Sequence, residues 1–152
     1  MLVSYEEMLC KLLSDVFSNM HRAEETALFR SNIDASVSEV HLMDSVGRLK
    51  DATVSDIASD LKITLASVTI AVNKLASKGY IFKRRNPCDG RSVNIYLTKS
   101  GLRVYRLHRY FHRRMVSSIT ENMSRDEKNI LYSGLNKLNS FLAGNAGKRE
   151  ET

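Results

Sequence analysis

Proline is nearly absent. Pro87 is the sole proline in 152 residues, so long helices on either side of it meet no backbone break. Cysteine is almost as rare, and Cys10 and Cys88 do not make a disulfide framework. No apolar run approaches the roughly 20 residues of a membrane span. The opening MLVSYEEMLCKLL carries acids where a secretory leader carries bases. These absences predict a cytoplasmic protein with no membrane partner. There is also no glycine-rich phosphate loop, no G-x-S-x-G and no paired-carboxylate arrangement, so neither an enzyme nor a cofactor is expected. Internal repeats and low-complexity segments are missing too.

What is present is an ordinary apolar share, 43%, in a chain about one domain long. The net charge of +6 is unevenly spread. Residues 74–114 hold 12 Lys/Arg and a single acid, Asp89, while the remainder holds 11 Lys/Arg and 16 acids. A block this one-sided is an electrostatic footprint for a polyanion.

The hydrophobic pattern is mostly helical. Leu2, Tyr5, Leu9, Leu12, Leu13, Val16, Phe17 and Met20 recur at helical spacing, and residues 22–35 continue this first helix before a loop. Ser36-x-x-Glu39 is a capping-box pattern that opens a second helix ending at Gly47, followed by a turn at Lys50-Asp51. Thr53-x-x-Asp56 opens a third, TVSDIASDLKI, with Ile57, Ala58 and Leu61 inward. Thr64 caps a fourth, LASVTIAVNKLASK, which stops at Gly79. YIFKRR and SVNIYL read as the strands of a hairpin turned by NPCDGR. Thr98 starts a helix to about Asn122, Ser124-x-x-Glu127 starts another to about Leu142, and GNAGKREET reads as frayed.

Helix, short turn, helix and basic hairpin form the order of a winged helix-turn-helix: mainly α with a small β-hairpin wing. In residues 65–78, Leu65, Val68, Val72 and Leu75 make one apolar stripe. The other side carries short residues that let a helix sink into a major groove about 12 Å wide. Ser67, Thr69, Ile70 and Asn73 are expected at base edges and Lys74 at a phosphate. Thr64 places a helix N-terminus toward a phosphate. Lys83, Arg84 and Arg85 lie on the first strand. Asp89 and Arg91 flank the tip, where an arginine suits the narrow minor groove and Asp89 can orient Arg91 or Arg85 by a charge-assisted bond.

These residues resemble the DNA-binding region of the MarR family of bacterial regulators. Val68-Thr69 within SVTIAV, Lys78-Gly79-Tyr80, the D-x-R tip Asp89-Gly90-Arg91 and the L-T-x-x-G exit from Leu97 to Gly101 carry the likeness. Gly90 departs from it, since the family more often has a basic residue there. SEVHLMDSVGRLKDATVSDIASDLKITLASVT and RLHRYFHRRMV resemble the subgroup that represses fatty-acid synthesis genes. The resemblance implies a homodimer formed by residues 1–35 and 99–152 around a winged helix-turn-helix at 36–98. It further implies DNA affinity that rises with long-chain acyl groups on acyl carrier protein. A dimer of this kind should bind double-stranded DNA at a pseudo-palindrome with half-sites ~34 Å apart. A regulator with another effector, zinc or a small lipophilic ligand, and an effector-independent architectural binder stay open as alternatives.

The sequence offers surfaces for such an effector. Arg103, Arg106, Arg109, Arg113 and Arg114 form a cationic helix that could hold an acidic carrier protein. Met20, Leu42, Met43, Val46, Leu107, His108 and Phe111 are expected to line an acyl pocket, for which methionine is adaptable. His108 and His112, with His41 and Glu24, offer zinc-type ligands, but five neighbouring arginines oppose a dication, so no metal is expected. The histidines should instead hydrogen-bond in the pocket or between helices. Cys10, beside Glu6 and Glu7, is expected to be buried and inert, and Cys88 to sit exposed at the wing.

Overall fold

The structure is a computed structural model that describes residues 4–86 and 92–146. Cys88, Asp89, Gly90 and Arg91, and with them the expected wing tip, lie outside the described residues. The chain divides into two compact units, 1–112 and 113–152.

The first unit holds α1 (Tyr5–Arg30), α2 (Val37–Arg48), α3 (Val54–Leu61), α4 (Leu65–Ser77), β1 (Ile81–Arg85), β2 (Val93–Leu97) and most of α5 (Lys99–Thr120). Polar side chains set the helix starts. Ser36 with Glu39 and Thr53 with Asp56 form reciprocal capping boxes, and Ser4 with Glu7 adds one at the start of α1 that the hydrophobic pattern does not reveal. Thr64 caps α4 by accepting the Ser67 N–H at 3.2 Å. The α4 terminus needs Gly79, whose φ of +77° lets the Tyr80 N–H return to the Leu75 carbonyl at 3.0 Å.

The core runs from α2 outward. Met43, Ile57, Val68 and Leu75 are fully buried, with Val40, Leu42, Val72, Ile81, Ile95 and Val104 around them. Leu65 does not join the stripe expected of it and is 54% exposed. It is the first residue of α4 and lies beyond the elements that cover Val68 and Val72.

β1 and β2 pair antiparallel from Ile81↔Leu97 to Arg85↔Val93. The Ile95 N–H donates to the Ala52 carbonyl at 2.8 Å, and an isolated bridge joins Thr53 to Asn94, so the wing is anchored to the start of α3. The L-T-x-x-G exit has a mechanical reason. Thr98 Oγ1 donates to the Gly79 carbonyl (2.7 Å) and accepts the Gly101 N–H (3.1 Å). A Cβ at Gly101 would stand 2.0 Å from the Tyr80 carbonyl oxygen, so only glycine lets α5 start there.

The second unit holds the end of α5 and α6 (Arg125–Ala146). Ser124 and Glu127 exchange hydrogen bonds at 2.8 and 3.3 Å as the capping pattern predicts. α6 continues past Leu142, so Gly144 is helical rather than frayed. None of the described side chains of α6 is buried, and Ile130, Tyr132, Leu135, Phe141 and Leu142 are exposed.

Candidate nucleic-acid interface

The outer face of α4 is open. Thr64, Ser67, Thr69, Ile70, Asn73 and Lys74 are all exposed, and so are Arg84 and Arg85 on β1. Ile70 is the most prominent apolar group there, at 69% exposure. Thr69 Oγ1 donates back to the Leu65 carbonyl at 2.8 Å. β1 is tied to α4 directly, because Lys83 Nζ donates to Asn73 Oδ1. That bond joins α4 to the wing and engages a residue expected on the DNA-facing side.

Lys74 is placed differently from the expectation. Its Nζ lies 2.8 Å from Glu39 Oε1 on α2, and Lys78 Nζ reaches the other oxygen of the same buried carboxylate at 3.3 Å. Burial acts to raise the Glu39 pKa, but the bonds from Lys74, the Ser36 backbone and Lys78 outweigh it and hold the carboxyl below its ordinary value. Lys74 is therefore a strut between α4 and α2 in this structure rather than an unengaged phosphate ligand.

A second constellation sits at α1, α2 and α5. Glu24 is 5% exposed, and three imidazoles converge on its Oε1: His112 Nε2 at 2.8 Å, His108 Nε2 at 3.3 Å and His41 Nε2 at 3.5 Å. The other ring nitrogen of His108 lies 3.6 Å from Asp44 Oδ1. Ligand atoms of Glu24, His41 and His108 all fall within 4.8 Å of one another, a spacing that could hold a metal ion. The five arginines expected to repel a cation are exposed, whereas the groups facing the imidazoles include two carboxylates. Arg109 is partly engaged, with Nη1 donating to the Tyr105 hydroxyl at 2.7 Å.

Beside this cluster is a cavity of about 20 Å³ lined by Glu24, Ala27, Leu28, Val37, Val40, Leu107, His108 and Phe111, room for about one water. An open groove of about 620 Å³ along α1 shares Ala27 and Phe111 with it and carries Arg22 and Arg30. Leu107, His108 and Phe111 thus stand where a pocket was expected. Leu42 and Met43 do not: they are 2% and 0% exposed in the core. Val46 faces a cleft beside Leu49, Ile95, Tyr96 and Leu97 instead, and Met20, half-buried, borders neither the cavity nor the groove. The reason is helical phase. α2 turns Val37, Val40, His41 and Asp44 toward α1 and α5, which sends Leu42, Met43 and Val46 to its other sides. Cys10 is exposed rather than buried, as are the other described side chains of residues 4–19.

A capped helix pair, an open second helix and a two-stranded wing tied to it define a winged helix-turn-helix. The chain belongs to the MarR family, whose family model matches residues 36–93. Over 91% of this chain and 98% of the other, it is 36% identical to Streptococcus pneumoniae FabT, solved in complex with DNA, with a TM-score of 0.86. It is also similar to two uncharacterized HTH-type transcriptional regulators of Bacillus subtilis, YfiV (31% identical, 66% of this chain) and YhjH (25%, 68%). The matches span 61% and 59% of those two relatives' own lengths.

Proposed function

We propose that this protein is a dimeric, sequence-specific DNA-binding transcription regulator that represses fatty-acid biosynthesis genes, with a long-chain acyl group on acyl carrier protein as corepressor. The observation that carries the DNA-binding part is the exposed α4 face, Ser67, Thr69 and Ile70, held beside basic β1 by the Lys83–Asn73 bond. The likeness to FabT over nearly the whole chain supports the fatty-acid reading. Residues 1–35 and 99–152 serve as dimerisation and effector helices, since the start of α1 and all of α6 expose apolar side chains that a second copy would cover. Arg103, Arg106, Arg109, Arg113 and Arg114, all exposed, are the cations offered to the acidic carrier. The acyl chain enters between α1 and α5 at Ala27 and Phe111. The small cavity must part to admit it.

A second reading has one observation behind it. The convergence of Glu24, His41 and His108 favours zinc as the effector at this place.

Fluorescence anisotropy on a fatty-acid synthesis promoter duplex, at fixed physiological salt, separates these readings. The protein is titrated alone, with apo carrier protein, with long-chain acyl carrier protein, and with zinc or a chelator, each against a scrambled duplex. The expected result is a gain in affinity with the acylated carrier alone, on the promoter alone. A response to zinc and not to the carrier would transfer the function to the metal. Equal affinity for both duplexes would overturn sequence-specific regulation.

A further inference from the structure

The cavity between α1, α2 and α5 is lined by no residue of α3 or α4. Whatever fills it must reach the DNA-reading helices through other groups, and the side chains supply one continuous route. His108, in the cavity wall, faces Asp44 Oδ1 at 3.6 Å. Asp44 Oδ2 accepts from Arg48 Nε at 2.8 Å. The same guanidinium forks onto Asp60 of α3, with Nη2 to Oδ2 at 2.6 Å and Nη1 to Oδ1 at 3.3 Å. Ser45, fully buried in α2, donates at 2.6 Å to the same Asp60 Oδ2 that accepts from Nη2.

We propose that His108, Asp44, Arg48 and Asp60 form the element that couples occupancy of the α1/α5 cavity to the position of the helix-turn-helix. The inference rests on reading that cavity as the effector site. Arg48 is the pivot. Its planar fork holds Asp60 in one orientation, while Nε is committed to Asp44. A displacement of His108 by an occupant changes what Asp44 faces, and the guanidinium must then re-aim both of its contacts together. Asp60 lies in the last turn of α3, directly before the two-residue turn that leads to Thr64 and the start of α4. The route needs three contacts to pass from α5 through α2 to α3. A chain of polar contacts between discrete arrangements is a physical means of coupling, and its proof is a measured interaction energy.

Two measurements test it. The first is a double-mutant cycle by thermal melting with His108→Gln and Asp60→Asn. His108 touches Glu24, His41, Asp44 and His112, whereas Asp60 touches Arg48 and Ser45, so no side chain bonds to both. Losses in melting temperature that fail to add are expected, and strictly additive losses would overturn the relay. The second uses Asp44→Asn, which cuts the route but spares the Arg48–Asp60 fork. Melting and anisotropy should show a folded protein with its basal DNA affinity, while the shift produced by hexadecanoyl acyl carrier protein is lost. If the unsubstituted chain responds and Asp44→Asn responds equally, the relay is wrong. If the unsubstituted chain does not respond, the effector reading fails and the melting cycle alone decides the relay.

Discussion

Asp44 stands between a histidine and an arginine, and its carboxyl is held from 3.8 down to about 2. The His108 contact does most of this, burial opposes it, and Arg48 adds to it. For His108 burial acts to lower the pKa, but the Asp44 and Glu24 carboxylates outweigh it and leave the imidazole above its ordinary 6.5. The two shifts act on opposite limbs of the stability profile. A depressed carboxyl contributes stability above pH 3.8 that is lost as pH falls toward 2, here about 2 kcal/mol. A raised imidazole contributes stability below 6.5 that is lost as pH climbs through its folded value. Thermal melts across pH 3 to 9 should therefore fall on both sides of a plateau. In His108→Gln the alkaline fall should shrink. An alkaline limb identical to that of the unsubstituted chain would remove His108 from the linkage.

At the scale of elements, α4 and β1 are joined by the Lys83–Asn73 bond as the proposed reading unit, and α2 meets α4 through Glu39. Glu39 caps α2 through Ser36 and also receives Lys74 and Lys78, so one buried carboxylate sets both the start of α2 and the rotation of α4. This predicts a division of labour among the cations. Arg84→Ala, on exposed β1, should reduce the salt slope of DNA binding by about 1. Lys74→Gln should weaken binding through misplacement of α4 and leave the slope unchanged, because its ammonium is bonded to Glu39 rather than to a phosphate. Binding isotherms at several salt concentrations check this, and a fall in slope for Lys74→Gln would return that lysine to the phosphates.

For the whole molecule, the exposed apolar groups carry the message. Leu12, Val16 and Phe17 of α1 are about half exposed, a poor state for a helix in water. A second copy is the occupant the proposed dimer supplies. Phe17→Asp is expected to yield monomers in sedimentation velocity and to lose affinity for a two-half-site duplex far more than for a single half-site. Dimers of unchanged strength would place the interface elsewhere.

Much of this molecule was legible in its sequence, for a local reason. Ser36, Thr53, Thr64 and Ser124 bond to groups three residues away, so their patterns survive in a linear reading. The stripe of Val68, Val72 and Leu75 obeys the period of a helix, whereas burial along the second wing strand does not alternate, since Val93 is exposed and Asn94 buried beside Ile95. Charge is likewise additive along a chain, and the basic block from 74 to 114 announced a polyanion without coordinates. The sites were only partly legible. His108 and His112 are visible as a pair one turn apart, and Glu24 and His41 stand with them as candidate ligands, but that Glu24 meets the pair across 84 and 88 positions is a tertiary fact. Lys74 reads as a phosphate ligand, and nothing local in the sequence shows that α2 brings Glu39 to it. The pocket residues on α2 were misassigned because the sequence gives a helix its period but not its phase against neighbours. Sequence by itself determined the elements, their order and their charge. Which face of each element meets which other was decided only by burial of the common core, where contacts distant along the chain compete for the same space.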